Sequence, residues 1–248
     1  MTRLKAFRVH LLASACVGAV VATLVFFLWY PDFYFKASGA QILIATLIFV
    51  DVVIGPALTL LLFKPGKWGL AFDMSVIVLL QVGALVYGLS VIIGSRPVFL
   101  VAAVDRFVVV SANQVEPGEL PDDPASPYRR LSLTGPELVG LKLPEDVEER
   151  NRLTFLDVTG HPSEAMPRLY VPFADVVGDL LARARPYSDL FRRADEDRQA
   201  AQLWLKRTGR RAEDLVWVPM QARKLEMVMV MARDTGMPLG TLPLDPWL

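Results

Sequence analysis

The chain has 248 residues, of which 53% are hydrophobic, and its formal net charge is zero. The first 95 residues carry few charges, whereas the remainder is rich in charge and slightly acidic, so a nucleic acid is not an expected partner. The one cysteine, Cys16, lies in an apolar stretch, which excludes disulfides from the charged part and argues against zinc sites built from Cys and His.

This division predicts a transmembrane domain over residues 1–95, followed by an α+β domain over residues 96–248. Three apolar runs in the first part are long enough for a bilayer, which needs about 20 residues. They predict a three-helix transmembrane bundle with spans at about 9–30, 41–63 and 72–93. A signal peptide is a weaker interpretation of the first run, because the run is long and ends in aromatic residues typical of a membrane interface.

The orientation is predicted from basic residues in the short loops, which favour the cytoplasm. Arg3, Lys5 and Arg8 precede the first span, Lys36 alone lies in the next loop, and Lys64 and Lys67 lie between the second and third spans. The N-terminus is therefore predicted to be cytoplasmic, and the α+β domain periplasmic, in a bacterial inner membrane.

The second span carries a carboxylate, Asp51, near its middle, followed by Gly55-Pro56 and Thr59. A charge at that depth costs about 2.5–3.5 kcal/mol on insertion scales. Two interpretations stay open. Asp51 binds a positive group of a partner or relays protons, or it is a neutral acid that locks the bundle by bonding Thr59, Gln81 or His10.

The α+β domain shows alternating strand patterns and amphipathic helix patterns. Strands are predicted at 98–110, 155–158, 215–220 and 225–232, and helices at 137–141, 144–153, 173–185 and 188–208. Met227, Met229 and Met231 share one face of the last strand. Core packing is the default interpretation of that face, and an adaptable binding surface is the alternative.

Nothing in the sequence favours an enzyme. His161 lies beside Ser163, but sequence neighbours seldom form a catalytic triad. Phosphate-binding, dinucleotide-binding and zinc motifs are absent from the sequence. We therefore expect a protein that is not an enzyme and that uses no cofactor or metal.

Three sequence blocks carry a resemblance to a known family. They are Val50-Asp51-Val52-Val53-Ile54-Gly55-Pro56-Ala57-Leu58-Thr59 with Lys64-Pro65-Gly66-Lys67, Phe72-Asp73 through Gln81 to Tyr87-Gly88, and Arg96-Pro97-Val98-Phe99 with Val104-Asp105-Arg106-Phe107. Leu4-Lys5-Ala6 at the start and Leu244-Asp245-Pro246-Trp247 at the end extend it over essentially the full length. In these blocks the chain resembles the type IV pilin accessory proteins of the TfpX/TfpZ kind, also called FimB-like. The resemblance brings no catalytic residue with it.

The resemblance implies an inner-membrane, chaperone-like factor that promotes assembly of its cognate major pilin into type IV pili. The expected partners are that pilin, which would be held in the membrane and the periplasm, the pilus assembly machinery and the lipid bilayer. The candidate partner-binding residues are Asp51, Gly55, Pro56, Thr59, Gln81, Met227, Met229 and Met231. The alternatives are a pilin-modifying membrane enzyme and a non-enzymatic subunit of another envelope complex.

Overall fold

The structure is a computed structural model that describes residues 2–247. The chain divides into two compact units. We call Met1–Arg96 the helical unit and Pro97–Leu248 the sheet unit.

The helical unit contains three helical runs that are long and apolar enough to cross a membrane. They are span 1 (Arg3–Trp29), span 2 (Ala40–Leu62) and span 3 (Leu70–Gly94). The regular α-helices are α1 (Arg3–Leu24), α2 (Tyr34–Ala37), α3 (Ala40–Ile48), α4 (Gly55–Leu62) and α5 (Leu70–Gly94). Two further segments are π-helical, Val25–Trp29 in span 1 and Phe49–Ile54 in the middle of span 2.

Span 2 lies between the other two spans, because α1 packs against α4 while α3 and α4 pack against α5. The spans converge where span 1 ends, around the fully buried Val25 and Tyr30 and the nearly buried Ile92. There the Tyr30 hydroxyl donates a hydrogen bond to the Ile92 carbonyl oxygen at 2.7 Å. Large apolar side chains such as Phe27 and Leu79 are exposed elsewhere, as expected of helices that are hydrophobic all round and face lipid.

The sheet unit is built on an eight-stranded mixed sheet in the order β4-β3-β1-β2-β6-β7-β8, with β5 paired to β6. The strands are β1 (Pro97–Ala103), β2 (Arg106–Ser111), β3 (Glu137–Leu141), β4 (Tyr170–Pro172), β5 (Arg185–Pro186), β6 (Leu215–Gln221), β7 (Glu226–Ala232) and β8 (Pro238–Leu242). The pairs β1–β3 and β2–β6 are parallel, and the other pairs are antiparallel. The helices are α6 (Val147–Val158), α7 (Val177–Arg183) and α8 (Asp195–Thr208). The predicted succession of three apolar helices and an α+β domain is confirmed.

Two elements of the sheet unit were predicted wrongly. Residues 137–141 form the strand β3 rather than a helix, because β3 pairs in parallel with β1 and a five-residue segment has little helical preference of its own. Residues 155–158 form the last turn of α6 rather than a strand, and their Phe155 and Val158 are exposed. The predicted strand 98–110 is a hairpin of β1 and β2, whereas the strands at 215–220 and 225–232 are confirmed.

One core of the sheet unit surrounds Trp217 on β6, which is 1% exposed. The guanidinium groups of Arg185 and Arg193 each lie 5.0 Å from the centre of its ring, a distance at which cation–π attraction operates. Tyr187 and Trp204 pack in the same core. A second core lies at the β1–β3–β4 end of the sheet around Phe99 and Tyr170.

Tyr170 and Tyr187 predict a loss of stability in alkaline solution. Burial raises the pKa of both hydroxyls above the ordinary tyrosine value of about 10. As the pH rises, the two tyrosine hydroxyls therefore ionise at a lower pH in the unfolded chain than in the folded chain. Their contribution to the free energy of unfolding is fully present below pH ~10 and decreases as the pH rises beyond it. We expect urea unfolding of the full chain in lipid nanodiscs, followed by near-ultraviolet circular dichroism, to show this fall. A Tyr187→Phe variant, which also lacks the bond to the Ala201 carbonyl oxygen, should be less stable at neutral pH and fall less steeply.

Candidate functional site

The polar residues of the three spans lie close to one another. Asp51 and Thr59, both on span 2, are buried at 7% and 4% exposure. Gln81 of span 3 reaches Asp51, and His10 of span 1 reaches Thr59. The structure therefore places four separate sequence signals at the contacts of span 2 with spans 1 and 3, and we call these four residues the polar layer.

Gly55-Pro56 explains why span 2 departs from a regular α-helix at Asp51. In the π-helical segment the Gly55 amide donates to the Val50 carbonyl oxygen, five residues earlier. The next bond of this kind would run from residue 56 to the Asp51 carbonyl oxygen, but Pro56 has no N–H to donate. The Gln81 side-chain amide supplies the missing bond at 3.0 Å. Pro56 in span 2 therefore leaves the Asp51 carbonyl oxygen without a backbone donor, and Gln81 in span 3 replaces that donor.

Gly55 provides the space for this bond. A Cβ atom at residue 55 would lie 1.9 Å from the Gln81 Nε2 atom and would push the amide away. Gly55, Pro56 and Gln81 were predicted as partner-binding residues, and the structure places all three around the Asp51 backbone. That these three residues take part in binding a partner stays a prediction. In the structure they could do so by positioning Asp51.

His10 and Thr59 tie span 1 to span 2. The His10 Nδ1 atom lies 2.6 Å from the Thr59 hydroxyl oxygen, within hydrogen-bonding distance. A short polar bond in an apolar region holds the start of span 1 against α4. The sequence indicated an interfacial residue at His10 and one possible partner of Asp51, and its bond to Thr59 was not foreseen.

The Asp51 carboxylate is the exception in the polar layer. Within residues 2–247 its buried Oδ1 atom has no hydrogen-bond partner. Thr59 bonds His10, and Gln81 bonds the Asp51 backbone rather than its carboxylate. A buried polar atom without a partner costs about 1–3 kcal/mol, and a charged one costs more. The hydrogen bonds of the polar layer therefore position Asp51 without satisfying its side chain.

Two cavities open beside Asp51, each of about 240 Å³. We call the first the groove: it lies between spans 1 and 3 and includes Ala13, Ser14 and Gln81 among its lining residues. We call the second the crevice: it lies between spans 2 and 3 and includes Leu47 and Gly88. Asp51 lines both cavities and is the one acidic residue in either lining.

The bond between Gln81 and Asp51 predicts a double-mutant result. We expect Gln81→Leu to cost about 1–3 kcal/mol of stability, because it leaves the Asp51 carbonyl oxygen unpaired in an apolar region. In a Pro56→Ala background the backbone N–H of residue 56 is restored and can donate to that oxygen, so the same substitution should cost less. Thermal unfolding of the four proteins in nanodiscs measures the coupling. Additive costs would show that Gln81 does not replace the missing backbone donor.

The methionine-rich face does not lie on the surface of the sheet unit. Met227, Met229 and Met231 are exposed at 5%, 0% and 0%, because β7 is flanked by β6 and β8 and both faces of the sheet are covered there. This placement corresponds to the core-packing interpretation. A partner could reach these side chains only by displacing what covers them.

A different surface of the sheet unit is accessible. An apolar groove of about 630 Å³ lies between α8 and β8, which we call the α8 groove. Leu203, at 66% exposure, and Pro243 belong to its lining, together with the basic residues Lys206 and Arg207. Sequence reasoning missed it, although Leu203, a large apolar residue on a charged helix, was a signal.

The residues that might have formed a catalytic site are bonded to other groups. The Ser163 hydroxyl donates to Asp157 at 3.2 Å, whereas His161 lies 3.3 Å from Glu116. Ser163 and His161 therefore do not form the nucleophile–base pair that a triad requires. Among the described residues, no group of three or more His, Cys, Asp or Glu side chains could hold a metal ion.

Comparisons with known proteins identify the family. The model of the fimbrial assembly protein FimB family matches residues 1–39. The fimbrial assembly protein of Dichelobacter nodosus serogroup I is 28% identical over 91% of this chain and 89% of its own length. That of serogroups C1 and C2 is 36% identical over 46% of this chain and 88% of its own length. No solved structure matches the chain. The chain belongs to the FimB family of fimbrial assembly proteins.

Proposed function

We propose that this protein takes part in type IV pilus biogenesis as a chaperone-like, non-enzymatic factor that binds its cognate pilin. Its relatives are named for fimbrial assembly, which supports a role in that process. The single observation that carries the binding role is the buried, unpartnered Asp51 oxygen in the middle of span 2. Such an atom is costly in an apolar region unless it serves a partner.

The α8 groove is the second element of this proposal. An exposed leucine within an apolar groove that also carries Lys206 and Arg207 is typical of a protein-binding surface. We place the contact with the polar part of the pilin there rather than at the buried methionines. When one contact with the pilin has formed, it raises the effective concentration of the pilin at the second contact. Two weak contacts can therefore give strong overall binding.

The location forms part of the same proposal. The three apolar helices and the loop charges support a bacterial inner-membrane protein with its N-terminus in the cytoplasm and its sheet unit in the periplasm. We take the pilin to be held in the same membrane by one apolar helix, with its polar head in the periplasm. In this orientation the helical unit would meet that helix and the sheet unit would meet the head. The pilus assembly machinery is a further proposed partner.

Photocrosslinking in living cells tests the proposal. A photoreactive amino acid at Leu203 of the full-length protein is expected to give an adduct with the major pilin, which disappears in a strain without pilin. The same photoreactive amino acid placed at the buried Met229 is the matched control, and it should give no pilin adduct. In a strain that lacks this protein, surface pili should be lost while pilin is still made.

The opposite results are equally clear. Pilin adducts at neither Leu203 nor any position in the spans, with the protein present at normal levels, would reject direct pilin binding. A pilin mass that depends on this protein would instead support a pilin-modifying enzyme.

A further inference from the structure

The two cavities beside Asp51 differ in what holds their walls together. In the crevice, the Leu47 side chain of span 2 packs directly on Gly88 of span 3, where a Cβ atom would lie 2.2 Å away. The groove lies between spans 1 and 3, each of which packs more extensively on span 2 than on the other. Widening the groove therefore breaks less packing than widening the crevice does.

The groove lies toward the N-terminal halves of spans 1 and 3: its lining runs from His10 to Val17 in span 1 and from Val78 to Leu85 in span 3. The packing around Tyr30 and Ile92 lies near the other ends of these spans. Ala13 and Ser14 are small side chains on the span 1 wall, and small residues let another helix approach closely in a membrane. The groove thus has the form of an incomplete helix bundle.

Its chemistry specifies the occupant. The lining combines apolar side chains with four polar residues, which are His10, Ser14, Gln81 and Asp51. Of these, Asp51 is the one acid, and its Oδ1 atom has no partner in the described chain. The groove has a volume of about 240 Å³, which is too small to enclose a helix with a diameter of about 10–12 Å. A partner helix would therefore lie along the groove and insert only a side chain or a terminal group.

We infer that the groove between spans 1 and 3 binds the apolar membrane helix of the pilin and that a cationic or N–H donor group of that helix bonds Asp51. This inference rests on the proposed function and names the site and the recognition chemistry within it. The hydrogen bond from Gln81 then has a purpose: it holds the Asp51 backbone in place at the groove before the partner arrives. Pre-organisation of this kind lowers the entropic cost of binding.

Site-specific photocrosslinking distinguishes the two cavities. The reactive residue is placed at Val17 and Val82 in the groove, at Thr46 and Ala84 in the crevice, and at Leu12 and Leu79 outside both. Each full-length variant is expressed with the major pilin, and adducts are mapped by mass spectrometry. We expect adducts with the pilin helix at Val17 and Val82 and none at the other four positions. Asp51→Asn should lower the groove adducts about tenfold or more, the effect of losing one charge-assisted bond.

Other outcomes separate the inference from the function it rests on. Pilin adducts at Thr46 and Ala84 alone would overturn the groove and leave pilin binding intact. Adducts of Val17 and Val82 with lipid or with a second copy of this chain would overturn the inference too. Pilin adducts at Leu203 without any in the spans would restrict binding to the sheet unit. Absence of pilin adducts at all these positions would overturn both proposals.

Discussion

An Asp51→Asn variant is expected to fold at least as well as the natural protein while it loses most of its ability to support pilus assembly. The substitution removes a charge that costs about 2.5–3.5 kcal/mol in the middle of a membrane helix. Asparagine keeps the shape of the side chain, so the Gln81 bond to the backbone at residue 51 should persist. Loss of one charge-assisted bond to the pilin, worth about 1.5–3 kcal/mol, corresponds to a decrease of roughly 10- to 100-fold in affinity.

Opposite changes in stability and function are the distinguishing result. Piliation is counted by electron microscopy, and the stability of the purified protein is measured by thermal unfolding in nanodiscs. Asp51→Glu is the matched control, because it keeps the charge and moves it by one methylene group. A structural role for Asp51 predicts the reverse pattern, in which Asp51→Asn destabilises the protein and piliation falls only in proportion to the amount of protein left.

The positions of the three apolar helices could be predicted from the sequence, but the contacts within the polar layer could be predicted only in part. Apolar length determines where a chain can span a bilayer, so the three spans follow from composition. Gly55-Pro56 indicated a disturbed helix. The hydrogen-bond donor that Pro56 lacks is replaced by Gln81, a residue 30 positions from Asp51 and in another span. That pairing arises from how the spans pack, and local pattern does not encode it.

The sheet unit shows the same limit. Residues 137–141 form a strand because β1 offers a parallel edge to them, and short segments take the structure that their neighbours impose. The methionine alternation on β7 correctly indicated a strand. Alternation reveals that a strand has two faces, but whether each is covered depends on elements distant in sequence. The sequence favoured core packing for the methionines but left a binding surface open, and only the folded chain shows that they are buried and that Leu203 is exposed.

Replacing Trp217 should strongly destabilise the sheet unit and leave the helical unit intact, so it tests whether function depends on the sheet unit. The side chain is 1% exposed, and two guanidinium groups each lie 5.0 Å from the centre of its ring. Replacing a buried tryptophan by alanine costs about 3–5 kcal/mol, a large fraction of the roughly 5–15 kcal/mol that stabilises a typical domain. Trp247→Ala is the matched control: this ring also lies over a guanidinium, that of Arg106 at 5.1 Å, but it is 49% exposed.

Hydrogen–deuterium exchange separates the two units in this experiment. We expect Trp217→Ala to speed amide exchange in β6 and β7 by roughly two to three orders of magnitude, with little change in span 3, and Trp247→Ala to change neither region strongly. If the pilin is held at two places, piliation should fall severely in Trp217→Ala, while pilin adducts from Val17 and Val82 persist at reduced yield. Normal piliation in a variant whose sheet unit has lost its protection from exchange would mean that the spans act alone. The α8 groove would then have no part in assembly.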